Sequence, residues 1–149
     1  MSDVKRFQFK ETIAAPAAEV WKTMFEQDTY RQWTKAFCEG SRYEGTWEEG
    51  SRMHFLDPKG DGMVAEIAEN RPGEFLSIRH LGWIVKGVED TESESVRAWA
   101  PAYENYTFRP VDGGTEVVVE QDLTDEYVDS MTACWAKALG AVKEICEGG

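Results

Sequence analysis

A chain of 149 residues, 42% hydrophobic and 12% aromatic, has the size and apolar content of one domain with a sizeable core, which excludes a disordered chain. Its formal charge of −12 repels phosphate backbones and anionic lipid surfaces, which removes the main energetic term for sequence-independent nucleic-acid binding. The opening MSDVKRFQFK has no apolar signal-peptide core and no apolar run approaches the roughly eighteen residues of a membrane span, so the expectation is a cytoplasmic protein.

In chain order, RFQFKETI places Phe7, Phe9, Glu11 and Ile13 on alternate positions, as in a half-buried strand. The following AAP closes it, with Pro16 in the first turn of a helix over 17–25 whose Val20, Trp21, Met24 and Phe25 form one apolar face. A second short helix starts at DTYRQW, with Asp28 as N-cap and Trp33 inward. Short β-prone runs follow at 39–46, 51–56, 62–70, 75–85, 103–110 and 114–121. They are separated by WEEGS, DPKGDG, NRPGE, GVEDTESES and VDGG, which supply turn residues for an antiparallel meander. The last segment repeats Val128, Met131, Trp135, Ala138, Val142 and Ile145 at spacings of three and four, which predicts one long helix over 126–146 lying across the sheet. Its start carries an incomplete capping box, Thr124 with Tyr127 in place of Glu.

No repeat or linker divides the chain, so residues 1–149 read as a single domain. Cys38, Cys134 and Cys146 are odd in number and lack C-x-x-C spacing, which points to reduced thiols. They are too few for a structural zinc site, and neither a metal nor a cofactor is expected.

The stretches IAAPAAEVWKTMFEQDTYRQW (13–33), GGTEVVVEQDLT and CWAKALGAVKEICE resemble the terminal signatures of the START-like, or SRPBCC (Bet v 1-like), superfamily. Within it the chain most resembles the domain similar to the activator of heat-shock-protein-90 ATPase, over roughly residues 5–147. The resemblance implies an α+β helix-grip fold: an antiparallel, curved sheet of about seven strands, two short helices after strand one, and a long C-terminal helix across the sheet. It also implies a cavity between sheet and helix. Members bind lipids, sterols and polyketides, catalyse cyclisation, or act as co-chaperone modules, so the fold by itself does not choose among them.

Strand parity selects the residues that face such a cavity. In FLSIRHLGW, Leu76, Ile78 and His80 form a mostly apolar face opposite Ser77 and Arg79; Trp83 takes the other parity unless Gly82 bends the strand. Symmetric hairpins place His80 near Ala65, Ile78 near Ile67, His80 near Glu104, Tyr106 opposite Val119 and Glu104 opposite Gln121. The result is a polar group of His80, Glu104, Tyr106 and Gln121 in an apolar cavity. With Trp33, Ile78, Phe108, Met131 and Trp135 these are the candidate ligand-binding residues. His54 shares parity with Arg52 and reads as an outward surface histidine.

The leading reading is a carrier or sensor for a small apolar or amphipathic molecule, with a homodimer as an option for its assembly. The alternatives are a cyclase-like or hydratase-like enzyme using His80 as acid or base with Glu104 setting its tautomer, and a chaperone-associated interaction module. The His80–Glu104 pair also has a plain structural reading, a buried hydrogen bond that fixes register. The acidic segment over 87–102 reads as a solvated connection, or as a lid with Trp99 closing on ligand.

Overall fold

The structure, a computed structural model, describes residues 4–148. Strand β1 (Val4–Ile13) is followed by helices α1 (Ala17–Phe25) and α2 (Gln27–Thr34), then by β2 (Arg42–Glu44), β3 (Arg52–Leu56), β4 (Gly62–Arg71) and β5 (Phe75–Val85). After β5 come β6 (Val88–Asp90), a one-turn helix α3 (Glu94–Arg97), β7 (Ala102–Val111), β8 (Gly114–Thr124) and the long helix α4 (Val128–Gly148). All strands pair antiparallel in the order β1-β8-β7-β5-β4-β3-β2, with β6 added to β5. This is the α+β helix-grip fold.

The first strand alternates as its sequence requires, with Phe7, Phe9, Glu11 and Ile13 turned inward and their neighbours exposed. Pro16 is the N-cap of α1 and not a residue of its first turn; its fixed φ suits entry into a helix. The two short helices are separated only by Glu26, whose amide is bonded to the Lys22 carbonyl while its own carbonyl accepts from Tyr30. Helix α2 therefore begins at Gln27 with Glu26 at the cap, two residues before the Asp28 expected there.

Two departures concern the middle of the chain. Only Arg42–Glu44 of the 39–46 run pairs as a strand. The sheet has eight strands, one more than expected, because β7 pairs only with Phe75–His80 of β5. That leaves the overhang Trp83–Val85 without partners on that side, and β6 supplies them. The acidic segment is thus partly structured. Its Ser93 caps α3 by accepting from the Val96 amide, and Glu89 receives both Arg52 and His54. These contacts pull the Glu89 carboxyl down to about 2, the Arg52 hydrogen bond first and His54 next. His54 lies outward, hydrogen-bonded in this surface cluster.

Gly82 marks the closest approach of the segment to β5. A Cβ there would stand 1.9 Å from the Asp90 carbonyl oxygen, a backbone atom that cannot swing away. Gly82→Ala is expected to cost about 1–3 kcal/mol, the usual penalty of overpacking, and to speed amide exchange selectively over 88–97. Exchange that quickens uniformly along the chain would show that the segment is not locally held by this contact.

Helix α4 starts two residues later than expected, after a 3-10 turn over Asp125–Tyr127. The Thr124 hydroxyl bonds the Glu126 carboxylate and caps no amide. Its apolar stripe packs against β1, α1 and α2, with Trp135, Ala138, Leu139 and Val142 buried. Its far end is tied to β1 by Lys143 Nζ donating to the Thr12 carbonyl and Glu147 accepting from the Ala14 amide. No helix among the described residues is long and apolar enough to cross a membrane.

Candidate functional site

Between the sheet and α4 lies a cavity of about 600 Å³. Phe55 of β3 and Met63 of β4, His80 of β5, Glu104 and Tyr106 of β7 and Gln121 of β8 form its sheet side. Tyr30, Trp33 and Phe37 close one wall from α2 and the turn after it, and Met131, Cys134 and Trp135 come down from α4. Strand parity brings the polar residues together. His80 pairs with Ala65 and Ile78 with Ile67, while Tyr106 faces Val119 and Glu104 faces Gln121.

One register differs. His80 lies opposite Ala102, and Glu104 lies opposite Ile78, because the 87–102 segment folds β6 and α3 and is no symmetric loop. The shift is two residues, so both side chains stay on the same face and meet diagonally. A second irregularity concerns Trp83. Leu81 is an extra residue between the pairs His80–Ala65 and Gly82–Val64, which turns Trp83 to the Met63 face, where it stands 37% exposed. Trp99 packs on Trp83 at 4.6 Å between ring centres and does not line the cavity.

The polar cluster is a hydrogen-bonded network centred on one carboxylate. Glu104 Oε1 accepts from Gln121 Nε2 at 3.2 Å and faces His80 Nε2 at 3.2 Å, and Glu104 Oε2 accepts from the Tyr106 hydroxyl in a short contact. Gln121 is oriented in turn by Trp135, whose Nε1 donates to its Oε1 at 2.8 Å. Burial pushes the Glu104 carboxyl up, but the His80 hydrogen bond and charge, then Tyr106 and Gln121, outweigh it and leave the carboxyl below its ordinary value. The Tyr106 hydroxyl is driven well up by burial and by the Glu104 charge beside it. The carboxylate accepts only, so His80 Nε2 donates to it; Nδ1 is enclosed without a partner. Neither ring nitrogen of His80 is therefore presented to the cavity.

Seven of the nine candidate residues line the cavity: Trp33, His80, Glu104, Tyr106, Gln121, Met131 and Trp135. Ile78 and Phe108 do not. Both share the inner face, but Phe108 lies farther along β7, where α1 fills the space, and Ile78 is packed into the core. Phe108 packs against Trp21 at 5.1 Å and Phe25 at 6.1 Å, and Ile78 is 2% exposed in the same core. Tyr30, Phe37, Phe55, Met63 and Cys134 were not among the candidates. Tyr30 sits one helical turn before Trp33, and Phe55 is two residues from Met53 on the inner face, so both carried a periodicity signal. Phe37 follows the helix end, where no period applies.

Among the described residues no three His, Cys, Asp or Glu side chains converge as a metal site. The cysteines are free thiols, Cys38 exposed and Cys134 and Cys146 partly buried.

Several solved structures share this architecture. A protein of Mesorhizobium loti superposes with a TM-score of 0.75 at 13% identity, over 97% of this chain and 98% of that one. The Aha1 dimer from Colwellia psychrerythraea gives 0.72 at 16% identity, over 96% of each chain. A putative protein of the dynemicin biosynthetic locus gives 0.71 at 16% identity and covers 95% of this chain, which spans only 47% of that one. At such identities the likeness concerns the fold. No curated protein matches the sequence. The family profile described as "Activator of Hsp90 ATPase homolog 1-like protein" does match, over residues 14–147. With nine-tenths of its length accounted for, and the helix-grip sheet and C-terminal helix in place, the chain belongs to this family.

Proposed function

We propose that this protein is a binding module, a carrier or sensor that holds a small, largely apolar molecule between the sheet and α4. The observation that carries the reading is the cavity itself: about 600 Å³, with aromatic, Leu and Met side chains supplying its apolar walls, a hydrogen-bonded polar cluster on its sheet side, and Arg42, Asp57 and Asp61 also along it. Trp33, Met131 and Trp135 would contact the apolar body of the ligand, and Glu104, Tyr106 and Gln121 would orient its polar end. His80 serves as a positioning residue, holding Glu104 through Nε2. The acid–base alternative asks His80 to move a proton in the cavity, and neither of its nitrogens faces that space. A cytoplasmic setting fits the three free thiols, and a homodimer would parallel the assembly named for the Colwellia protein.

Native mass spectrometry of freshly purified protein is expected to show a co-purifying mass that organic extraction releases. Met131→Trp fills part of the cavity from α4, where Met131 is half-buried. It should remove that mass while shifting the thermal midpoint by only a few degrees, the equivalent of about 1 kcal/mol. A wild-type preparation that carries nothing and takes up no apolar probe would defeat the carrier reading. An adduct retained in Met131→Trp would place the ligand elsewhere.

A further inference from the structure

The Tyr30 hydroxyl is the loose end of the site. Tyr30 is 9% exposed and lines the cavity, yet among the described residues its hydroxyl has no hydrogen-bond partner and is not sealed off from the cavity. Burial first, then the charges of Glu104 and Tyr43, push its ionisation far up, so it stays a neutral hydroxyl able to donate. Glu104 has a complementary vacancy. It accepts three hydrogen bonds, a carboxylate offers about four acceptor positions, and its side chain is 16% exposed.

The charges along the cavity add a second constraint. Three carboxylates line it, Asp57, Asp61 and Glu104, against one guanidinium, Arg42. Arg42 is already held by Glu44 at 2.8 Å. Asp57 is fixed by the amides of Lys59 and Asp61, and Asp61 by the amide of Lys86, so both carboxylates are held by backbone. His80 is committed to Glu104. A carboxylate entering this space would lose its hydration, find its one cation, Arg42, shared with Glu44, and approach another carboxylate, and the balance opposes it.

We propose that the cavity selects an uncharged aromatic molecule bearing a hydroxyl group, which donates to Glu104 and accepts from Tyr30, and that it turns away carboxylates. The aromatic part follows from the walls, where Trp33, Phe37, Phe55, Tyr106 and Trp135 offer ring faces and edges. The inference rests on the binding reading above and goes beyond it by naming the chemistry of the polar end.

Three probes of one ring system separate the two ideas: 2-naphthol, 2-methoxynaphthalene and 2-naphthoate, titrated into the wild-type protein by calorimetry at pH 7. The expected order is 2-naphthol tightest, 2-methoxynaphthalene about tenfold weaker for want of a donor to the carboxylate, and 2-naphthoate at least about a hundredfold weaker. Glu104→Gln should compress the spread, weakening 2-naphthol and strengthening 2-naphthoate. Tyr30→Phe should weaken 2-naphthol and 2-methoxynaphthalene alike by several-fold, since both present an oxygen to the lost hydroxyl. If Glu104→Gln does not fold, the wild-type ratios still decide. Binding of 2-naphthoate as tight as 2-naphthol overturns the selectivity and leaves the carrier reading standing. Equal binding of 2-naphthol and 2-methoxynaphthalene overturns the role of Glu104 as acceptor. No binding of any of the three to protein stripped by organic extraction overturns the proposal, while the co-purifying mass decides the carrier reading separately.

Discussion

Trp135→Ala is expected to lower the unfolding free energy by about 3–5 kcal/mol, the range for emptying a buried aromatic position. Trp135 is 2% exposed and is the hinge of the aromatic packing between α4 and the rest of the domain. Its ring lies 4.9 Å from Phe37 and 6.0 Å from each of Phe9, Trp33 and Tyr106. One substitution therefore loosens contacts to β1, α2 and β7 together. It also strips Gln121 Oε1 of its donor, and Gln121 is one of the groups that hold Glu104. Trp135→Phe separates the two effects. It keeps most of the packing and should cost about 1–2 kcal/mol for the unmet acceptor. Urea unfolding of both variants is the measurement, and a loss below about half a kilocalorie in Trp135→Ala would contradict the packing described for this residue.

His80→Ala is expected to cost about 3 kcal/mol near neutral pH, the cost of leaving a buried carboxylate short of a hydrogen-bond donor. The cost is no larger because Glu104 keeps Tyr106 and Gln121 as donors. The pH dependence gives the sharper signature. The folded-state Glu104 carboxyl is depressed, so its contribution is fully present above the unfolded carboxylate value of about 4.3. It is lost as pH falls through the lower folded value. Without His80 the burial penalty is opposed only by Tyr106 and Gln121, the carboxyl rises, and the acid loss of stability moves to higher pH. Unfolding curves between about pH 3 and 8 should show this displacement. Their coincidence with the wild-type profile would mean that His80 does not set the state of Glu104. A double-mutant cycle with Glu104→Gln should give a coupling of about 1–3 kcal/mol, since the two groups are in direct contact.

The same two residues show how far the sequence carries. Alternation in FLSIRHLGW and in the run containing Glu104 and Tyr106 was enough to put His80, Glu104, Tyr106 and Gln121 on one face, because a strand's side chains repeat every two residues. A two-residue difference in register leaves the pair on one face because it is even. The Leu81 bulge shows the odd case: one added residue turned Trp83 to the other face, and only Gly82 hinted at it.

Periodicity reports which face a side chain takes and says nothing about how deep along that face it lies. Ile78 and Phe108 have the right parity, but whether they line the cavity or the solid core depends on what packs over them; for Phe108 that is α1, remote in sequence from β7. Phe37 joined the cavity for the same reason, through the path of the chain after α2. Local period and turn chemistry, read from the sequence by itself, are enough for β1, the two short helices, the main strands with most of their inward faces and the apolar stripe of α4, while β6, α3 and the face of Trp83 lay beyond them. Only the tertiary structure decided the open cavity, the enclosed nitrogen of His80 and the unpartnered hydroxyl of Tyr30, because each depends on which distant side chains arrive at one point and which leave a space unfilled.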